Sequence, residues 1–502
     1  MLNNYTLPPM KAEYVDIVIV GAGLSGIGAA WHLQNKCSNK RYLILESRNT
    51  LGGTWDLFRY PGIRSDSDMF TMGYQFKPWQ DNRTMADGAS ILNYVKEAAS
   101  ENDITQKIRY GHKLTTASWS SEKAIWTLTA QCQRTGAITK IQCQFLLMCA
   151  GYYHYDEGYR PEFKGKEKFQ GTLIHPQHWP EDLDYSNKKI VVIGSGATAI
   201  TLVPELAKKA QHVTMLQRSP SYILSLPAKD KISSLLKKVL PLKWVYALIR
   251  KKNIGRQQYL YRLTRTHPEK IKNYISKMAK KILGQNYDID THFSPSYNPW
   301  DQRLCFIPDN DFFKSIQSNN ATVLTDQIDS LTETGIQLQS GDKVDADIIV
   351  TATGFNIEIL GGTEFSVDGK NVDFSKTYTY KGMMYSDVPN IASIFGYINA
   401  SWTLHVDLIA DYICRLINHM DSTETQQCTP TLRESDKNMP SRPWIDSFSP
   451  GYIQRGIHLY PKQGSHEPWL NTQDYKKDKE NLQNSPIDDG IMIFSKKKEV
   501  TE

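Results

Sequence analysis

The sequence predicts an α/β protein built from two parallel-sheet units, with the second inserted into the first. Two echoes along the chain carry this expectation. VDIVIVGAGLSGIGAAWHL runs from β-branched residues through Gly21, Gly23 and Gly26 into helical composition, and KKIVVIGSGATAITLVPELAKK repeats the plan with Gly194, Gly196 and Ala199. A buried strand, a tight glycine turn and a helix facing the turn make the opening of a Rossmann-like dinucleotide-binding unit. FLLMCAG, ending at Gly151, and DIIVTATGF, with Gly354, read as two short buried strands that bracket the second unit. At 502 residues the chain exceeds one hydrophobic core, which agrees with several domains.

The expected organisation follows from these echoes. Residues 1–150 begin the first domain, 151–350 form the inserted domain, 351–480 complete the first, and 481–502 are a C-terminal tail, FSKKKEVTE being a frayed end. The start, MLNNYTLPPMKAEYVDIVIV, carries acidic residues ahead of its apolar run and reads as a strand and not a signal peptide. Within the inserted domain, about 228–285 is helical and basic, with KISSLLKKVLPLKWVYALIRKK broken by Pro241. Its apolar residues either cap the domain beneath solvated lysines, or form a face for weak peripheral contact with an anionic membrane or for a substrate tunnel.

Composition narrows the class. A charged fraction of 22% and a net charge of +6 fit a folded protein without the concentrated basic face of a nucleic-acid domain. Seven cysteines include no C-x-x-C and no metal-type cluster, so reduced thiols in a cytoplasmic protein without a metal are expected. No run reaches the roughly eighteen apolar residues of a membrane span.

The two glycine turns predict different ligands. In the first, Gly21 permits the turn, Gly23 lets backbone approach a pyrophosphate, and Gly26 allows close helix packing. Glu46 stands twenty residues beyond Gly26, ending YLILE, where a carboxylate accepts from both ribose hydroxyls; this suits the adenosine of FAD. In the second unit HVTMLQRSP puts Gln217 at that place, followed by Arg218 and Ser219. An arginine fork clamps a 2′-phosphate that a carboxylate would repel, so NADPH is the expected partner. Two such sites imply hydride transfer from NADPH to a flavin.

Two longer patterns refine this. FQGTLIHPQHWP gives F-x-G-x-x-x-H-x-x-x-W-P through Phe169, Gly171, His175, Trp179 and Pro180, and GTWDLFRYPGIRSD gives G-x-W-x-x-x-x-[FY]-P-G-x-x-x-D through Gly53, Trp55, Tyr60, Pro61, Gly62 and Asp66. Both resemble signatures of class B flavoprotein monooxygenases of the Baeyer–Villiger type. YNPWDQRLC and GYINASWTL look closest to the bacterial branch that includes the ethionamide-activating monooxygenase. The resemblance implies conversion of ketones to esters with O2, and oxidation of sulfides or thioamides, through a peroxyflavin stabilised by NADP and Arg303. It also implies that Asp66 orients Arg303, and that Thr54, Trp55 and Asp66 lie against the cofactor. His175 either steers the nicotinamide by a hydrogen bond or satisfies turn carbonyls. Gln302 stands where many such enzymes have a phosphate-binding lysine, which leaves the NADPH preference to Arg218 and Ser219. The rival expectations are an N- or S-oxygenating flavin enzyme and a non-catalytic flavin-binding sensor; a disulfide reductase is disfavoured for want of a redox dithiol.

Overall fold

The computed structural model describes residues 12–497. The first sheet centres on Glu13–Val20, which lies parallel between Tyr42–Leu45 and Ile138–Met148, with Val18 opposite Leu43 on one side and Leu146 on the other. His112–Ser120 and Ile125–Cys132 extend it antiparallel from Ile138–Met148. Two strands from far down the chain complete it, Glu364–Val367 beside His112–Ser120 and Ile391–Ser393 beside the end of Ile138–Met148. The long helix Trp402–Ser422 packs on the glycine-turn helix Leu24–Lys36 over one face.

The second sheet is parallel throughout, in the order Ala321–Thr325, His212–Gln217, Lys189–Ile193, Ile348–Thr351, Thr172–Ile174. Its central strand is buried from Ile190 to Ile193, as a sheet covered on both faces requires. The architecture is the two-unit α/β fold expected, with the first sheet drawing strands from both sides of the second. One expectation needs correcting. FLLMCAG is the end of an eleven-residue strand of the first sheet, whereas IIVT is an interior strand of the second, so the two runs do not bracket that unit as a matched pair.

The chain passes between the sheets twice, and the two passages pair. Tyr153–Gly158 leaves the first sheet, Phe355–Ile357 returns to it, and they run antiparallel with Phe355 opposite Gly158 and Ile357 opposite Tyr153. His175 clamps this ribbon. Its Nδ1 accepts from the Gln177 amide at 3.2 Å and its Nε2–H donates to the Gly354 carbonyl at 3.2 Å, while a Cβ on Gly158 would fall inside the imidazole ring. Gln177 adds bonds from its side-chain amide to the carbonyls of His154 and Tyr155, both at 2.8 Å. Burial pushes the His175 pKa down to about 4, so the ring is neutral near pH 7.

The basic insert forms three helices, Lys231–Leu236, Leu242–Thr266 and Pro268–Leu283, with Pro241 just ahead of the second and Pro268 opening the third. Val245, Tyr246 and Ile249 pack into the core of the first sheet and not over the inserted unit that the capping reading had them cover, because the helix lies against Phe70, Thr71, Gly73 and Asp407. Arg250 bolts the helix down, donating through Nη1 to the carbonyls of Phe70, Thr71 and Gly73 and through Nη2 to Asp407 at 3.3 Å. The tail also differs from expectation. Tyr475–Gln483 is helical, and Met492–Ser495 pairs antiparallel with Gln427–Pro430, putting Phe494 opposite Cys428; residues 498–502 lie outside the described range. The alternate apolar residues Met492 and Phe494 give the strand a reason to dock that the following lysines conceal.

Gly158→Ala is expected to destabilise the protein by about 1–3 kcal/mol through overpacking against the ring, and His175→Ala added to it should recover part of the lost thermal midpoint. A His held neutral contributes stability that is full above its unfolded pKa of 6.5 and is lost as pH falls from there toward about 4, because the unfolded chain then binds the extra proton. Denaturant titrations should show His175→Asn weakening that acid dependence, with the buried His405, whose pKa burial also lowers, contributing to the slope that is left.

Candidate active site

Both glycine turns open on one cavity of about 1170 Å³, more than the roughly 300–1000 Å³ that holds a single small ligand. In the first turn Gly21 has φ +105°, and a Cβ there would stand 2.5 Å from the Cys149 carbonyl oxygen. The helix it leads into begins at Gly23 with no side-chain cap, so its first amides are free for an anion. Glu46 sits below the turn, 4% exposed, accepting from the Ala22 amide at 2.8 Å and the Arg48 amide at 2.9 Å. Burial raises its pKa, and the two amides oppose that rise.

The segment that follows explains its signature. Gly52 and Gly53 both have positive φ and turn the chain into the short helix Thr54–Leu57. Asp56, with a side chain 3% exposed, lies between Arg48 and Arg59 at 2.7 Å each, so its buried charge is paired twice. Thr54 Oγ1 and Tyr153 OH are 2.6 Å apart, which joins this helix to the ribbon. Trp55 is half-buried at the cavity wall.

The second turn repeats the geometry with different chemistry. Gly194 has φ +131° and backs onto the Ala352 carbonyl, while a Cβ on Gly196 would meet nothing within 4 Å. Ala197–Leu206 also starts without a side-chain cap. Gln217 is turned inward, donating to the His292 carbonyl at 2.8 Å and to Thr325 Oγ1 at 2.9 Å. Arg218 and Ser219 are exposed at the cavity rim, and Arg218 makes no ion pair among the described residues. Ser195 Oγ donates to the Ser219 carbonyl at 3.0 Å, tying the turn to that rim.

The same cavity is lined by the ion pair of Arg303 and Asp66, 237 residues apart in sequence. Arg303 Nη2 donates to both carboxylate oxygens, at 3.0 and 2.9 Å. Its Nε is buried with no protein partner among the described residues, and its side chain keeps 37% exposure along the cavity. Asp66 beside it raises the guanidinium pKa further above its ordinary value, against the opposing effect of burial, so the positive charge is permanent. Tyr152 and Tyr452 stand close enough to feel that charge, and Cys305, pushed up to about 12 by burial, stays a thiol.

The cavity wall thus gathers Gly21, Gly23, Glu46, Thr54, Trp55, Asp66, His175, Gly194, Gly196, Arg218, Ser219 and Arg303. Gly26 and Ala199 are not on it. They lie behind the turns, where a Cβ on Gly26 would collide with the Gly21 carbonyl and Ala199 is fully buried, so both act through close packing. His175 reaches the wall with both ring nitrogens engaged by backbone, which favours the turn-satisfying role over the hydrogen bond to a nicotinamide. Sequence reasoning missed Asp56 and Tyr153; an acid three residues before an arginine inside a signature was the available signal for the first. Two uncapped helix ends, an open Gly196 and this volume fit one dinucleotide at each turn.

Comparison with known proteins agrees. Residues 18–275 match the family model described as pyridine nucleotide-disulphide oxidoreductase, although the sequence carries no C-x-x-C or C-x-x-x-x-C pair. The FAD-containing monooxygenase EthA of Mycobacterium tuberculosis is 48% identical over 486 residues, covering 97% of this chain and 98% of EthA. The probable FAD-binding monooxygenase AlmA of Acinetobacter baylyi is 49% identical over 491 residues, 98% of each chain. Among solved structures, an oxidised steroid monooxygenase bound to NADP superposes with TM-score 0.76 at 21% identity, over 96% of this chain and 100% of that one, and cyclohexanone monooxygenase from Rhodococcus sp. Phi1 bound to NADP+ with TM-score 0.70 at 19% identity, over 84% and 87%. At such identities the structures establish the fold, and the sequence relatives establish the family: the chain belongs to the FAD-containing monooxygenases.

Proposed function

We propose that the protein is an NADPH- and O2-dependent Baeyer–Villiger monooxygenase, which converts ketones to esters and also oxidises sulfides or thioamides. In this reading residues 1–150 and 351–480 hold FAD and 151–350 hold NADPH. The observation that carries it is the Arg303–Asp66 pair, a permanent cation in a cleft shared by two dinucleotide turns.

Bound FAD would take electrons from NADPH and supply the reaction with O2. The chain's own residues do the rest. Gly23 and the free amides behind it receive the FAD pyrophosphate, and Glu46 accepts from the ribose. Gly196 and its helix receive the second pyrophosphate, with Arg218 and Ser219 on the 2′-phosphate; Gln302, which lines the same cleft, adds no charge. Ketone-to-ester conversion builds negative charge on oxygen. Arg303 meets that charge with N–H groups not used by Asp66, and Asp66 anchors the guanidinium through Nη2 so that less reorganisation is needed.

Product analysis across linear, cyclic and aryl ketones and sulfides tests the proposal: ester from a ketone supports it, while sulfoxide alone points to an N- or S-oxygenating enzyme. Arg303→Ala should lose about 100- to 1000-fold in ester formation while still oxidising NADPH. A sensor would show no turnover to lose. Arg218→Ala should raise KM for NADPH about 10- to 100-fold and leave KM for NADH nearly unchanged, since only the 2′-phosphate contact is removed.

A further inference from the structure

The insert carries a surface that the cleft does not use. Between Lys231 and Pro268 the chain has ten lysines and arginines and no aspartate or glutamate. In the same stretch Ile232, Leu235, Val239, Leu240, Trp244 and Leu248 are all exposed, from 38% for Leu240 to 75% for Val239. Trp244 and Leu248 share one face of Leu242–Thr266 at i, i+4 spacing, and that face continues to Lys251. The opposite face, with Val245, Ile249 and Asn253, is buried. The apolar residues outside are therefore not a core-facing stripe left partly open. They are a second stripe.

The cations sort in the same way. Arg250 is buried, Lys252 pairs with Asp230 at 2.6 Å, and Lys237 turns inward to the Gln80 and Asp81 carbonyls and the Asn82 side chain. Lys231, Lys238, Lys243 and Lys251 are exposed and make no ion pair among the described residues. We propose that this face, the outer side of Lys231–Leu236 and the first turns of Leu242–Thr266, docks the protein on an anionic lipid bilayer. Exposed leucines and valine enter the acyl boundary, Trp244 sits at headgroup level, and the four lysines meet the phosphates. A second copy of the chain is a poor occupant, because a two-fold contact here would bring the four lysines of one copy against those of the other, and the segment 231–268 has no acid to pair with them. Docking leaves the bonds of Arg250 and the insert's buried face untouched, so it needs no rearrangement. Among the described residues no helix is long and apolar enough to cross a membrane, which makes contact of this kind peripheral.

Sedimentation of the FAD-loaded protein with phosphatidylcholine vesicles, with and without phosphatidylglycerol, tests the proposal. Binding is expected only with phosphatidylglycerol and should weaken with salt. Trp244→Ser with Leu248→Ser should weaken it at least about tenfold, and Lys238→Gln or Lys243→Gln about fivefold each. NADPH oxidation without vesicles should match the parent in every variant, which also reports that each one folds. The proposal is overturned by absence of binding to phosphatidylglycerol vesicles, by equal binding to uncharged vesicles, or by light scattering that shows a dimer lost in the double serine variant.

Discussion

The antiparallel pairing of the two strands that pass between the sheets is the constraint from which the site follows. Tyr153–Gly158 and Phe355–Ile357 together form a ribbon, and a ribbon resists the independent swivelling that two single linkers would permit. With both passages fixed, the ends of Glu13–Val20 and Lys189–Ile193 face one cavity, and each delivers its glycine turn there. His175 stiffens the junction because it is neutral and bonded on both ring nitrogens to backbone, one of them across to the returning strand. A charged imidazole would lose one of those bonds, since it has no lone pair left to accept with. Thr54 carries the same junction into the first turn through the Tyr153 hydroxyl.

Within the cavity the protein places charge unevenly, and in the proposed reading that placement separates the ligands. The first turn is backed by a buried carboxylate, Glu46, suited to neutral hydroxyls. The second offers Arg218, exposed at the rim and without an ion pair among the described residues. Arg303 lines the same cavity, with Nη2 held by Asp66 and Nε without a protein partner among the described residues. Three charged environments thus stand along one cavity, and each is fixed by a different element of the fold.

Features set by neighbouring residues were legible in the sequence. Gly21, Gly194, Glu46 and Arg218 are local: each follows from a strand, a turn and a short count of residues, because the backbone itself makes the site. Arg303 and Asp66 are far apart, and only the resemblance joined them. Asp56 was passed over because its partners, Arg48 and Arg59, become meaningful only when the glycines before the helix curl the chain back on itself. The role of His175 could not be separated from its alternative until Gly158 and Gly354 were seen against the ring. The strand at Met492–Ser495 was hidden by the lysines after it, since four residues carry too little period to outweigh a charged run. The insert's two apolar stripes blurred each other in the same way, as a helix apolar on two sides shows no single face.

The cross-strand partnership of Gly158 with Phe355 has one more implication, for ancestry. A stretch whose first and last residues are neighbours can be spliced into a host gene, or removed from it, while the host's own strands keep their places. The nucleotide module between those residues meets that condition, so the present architecture is reachable by a single insertion into a simpler one-module flavoprotein.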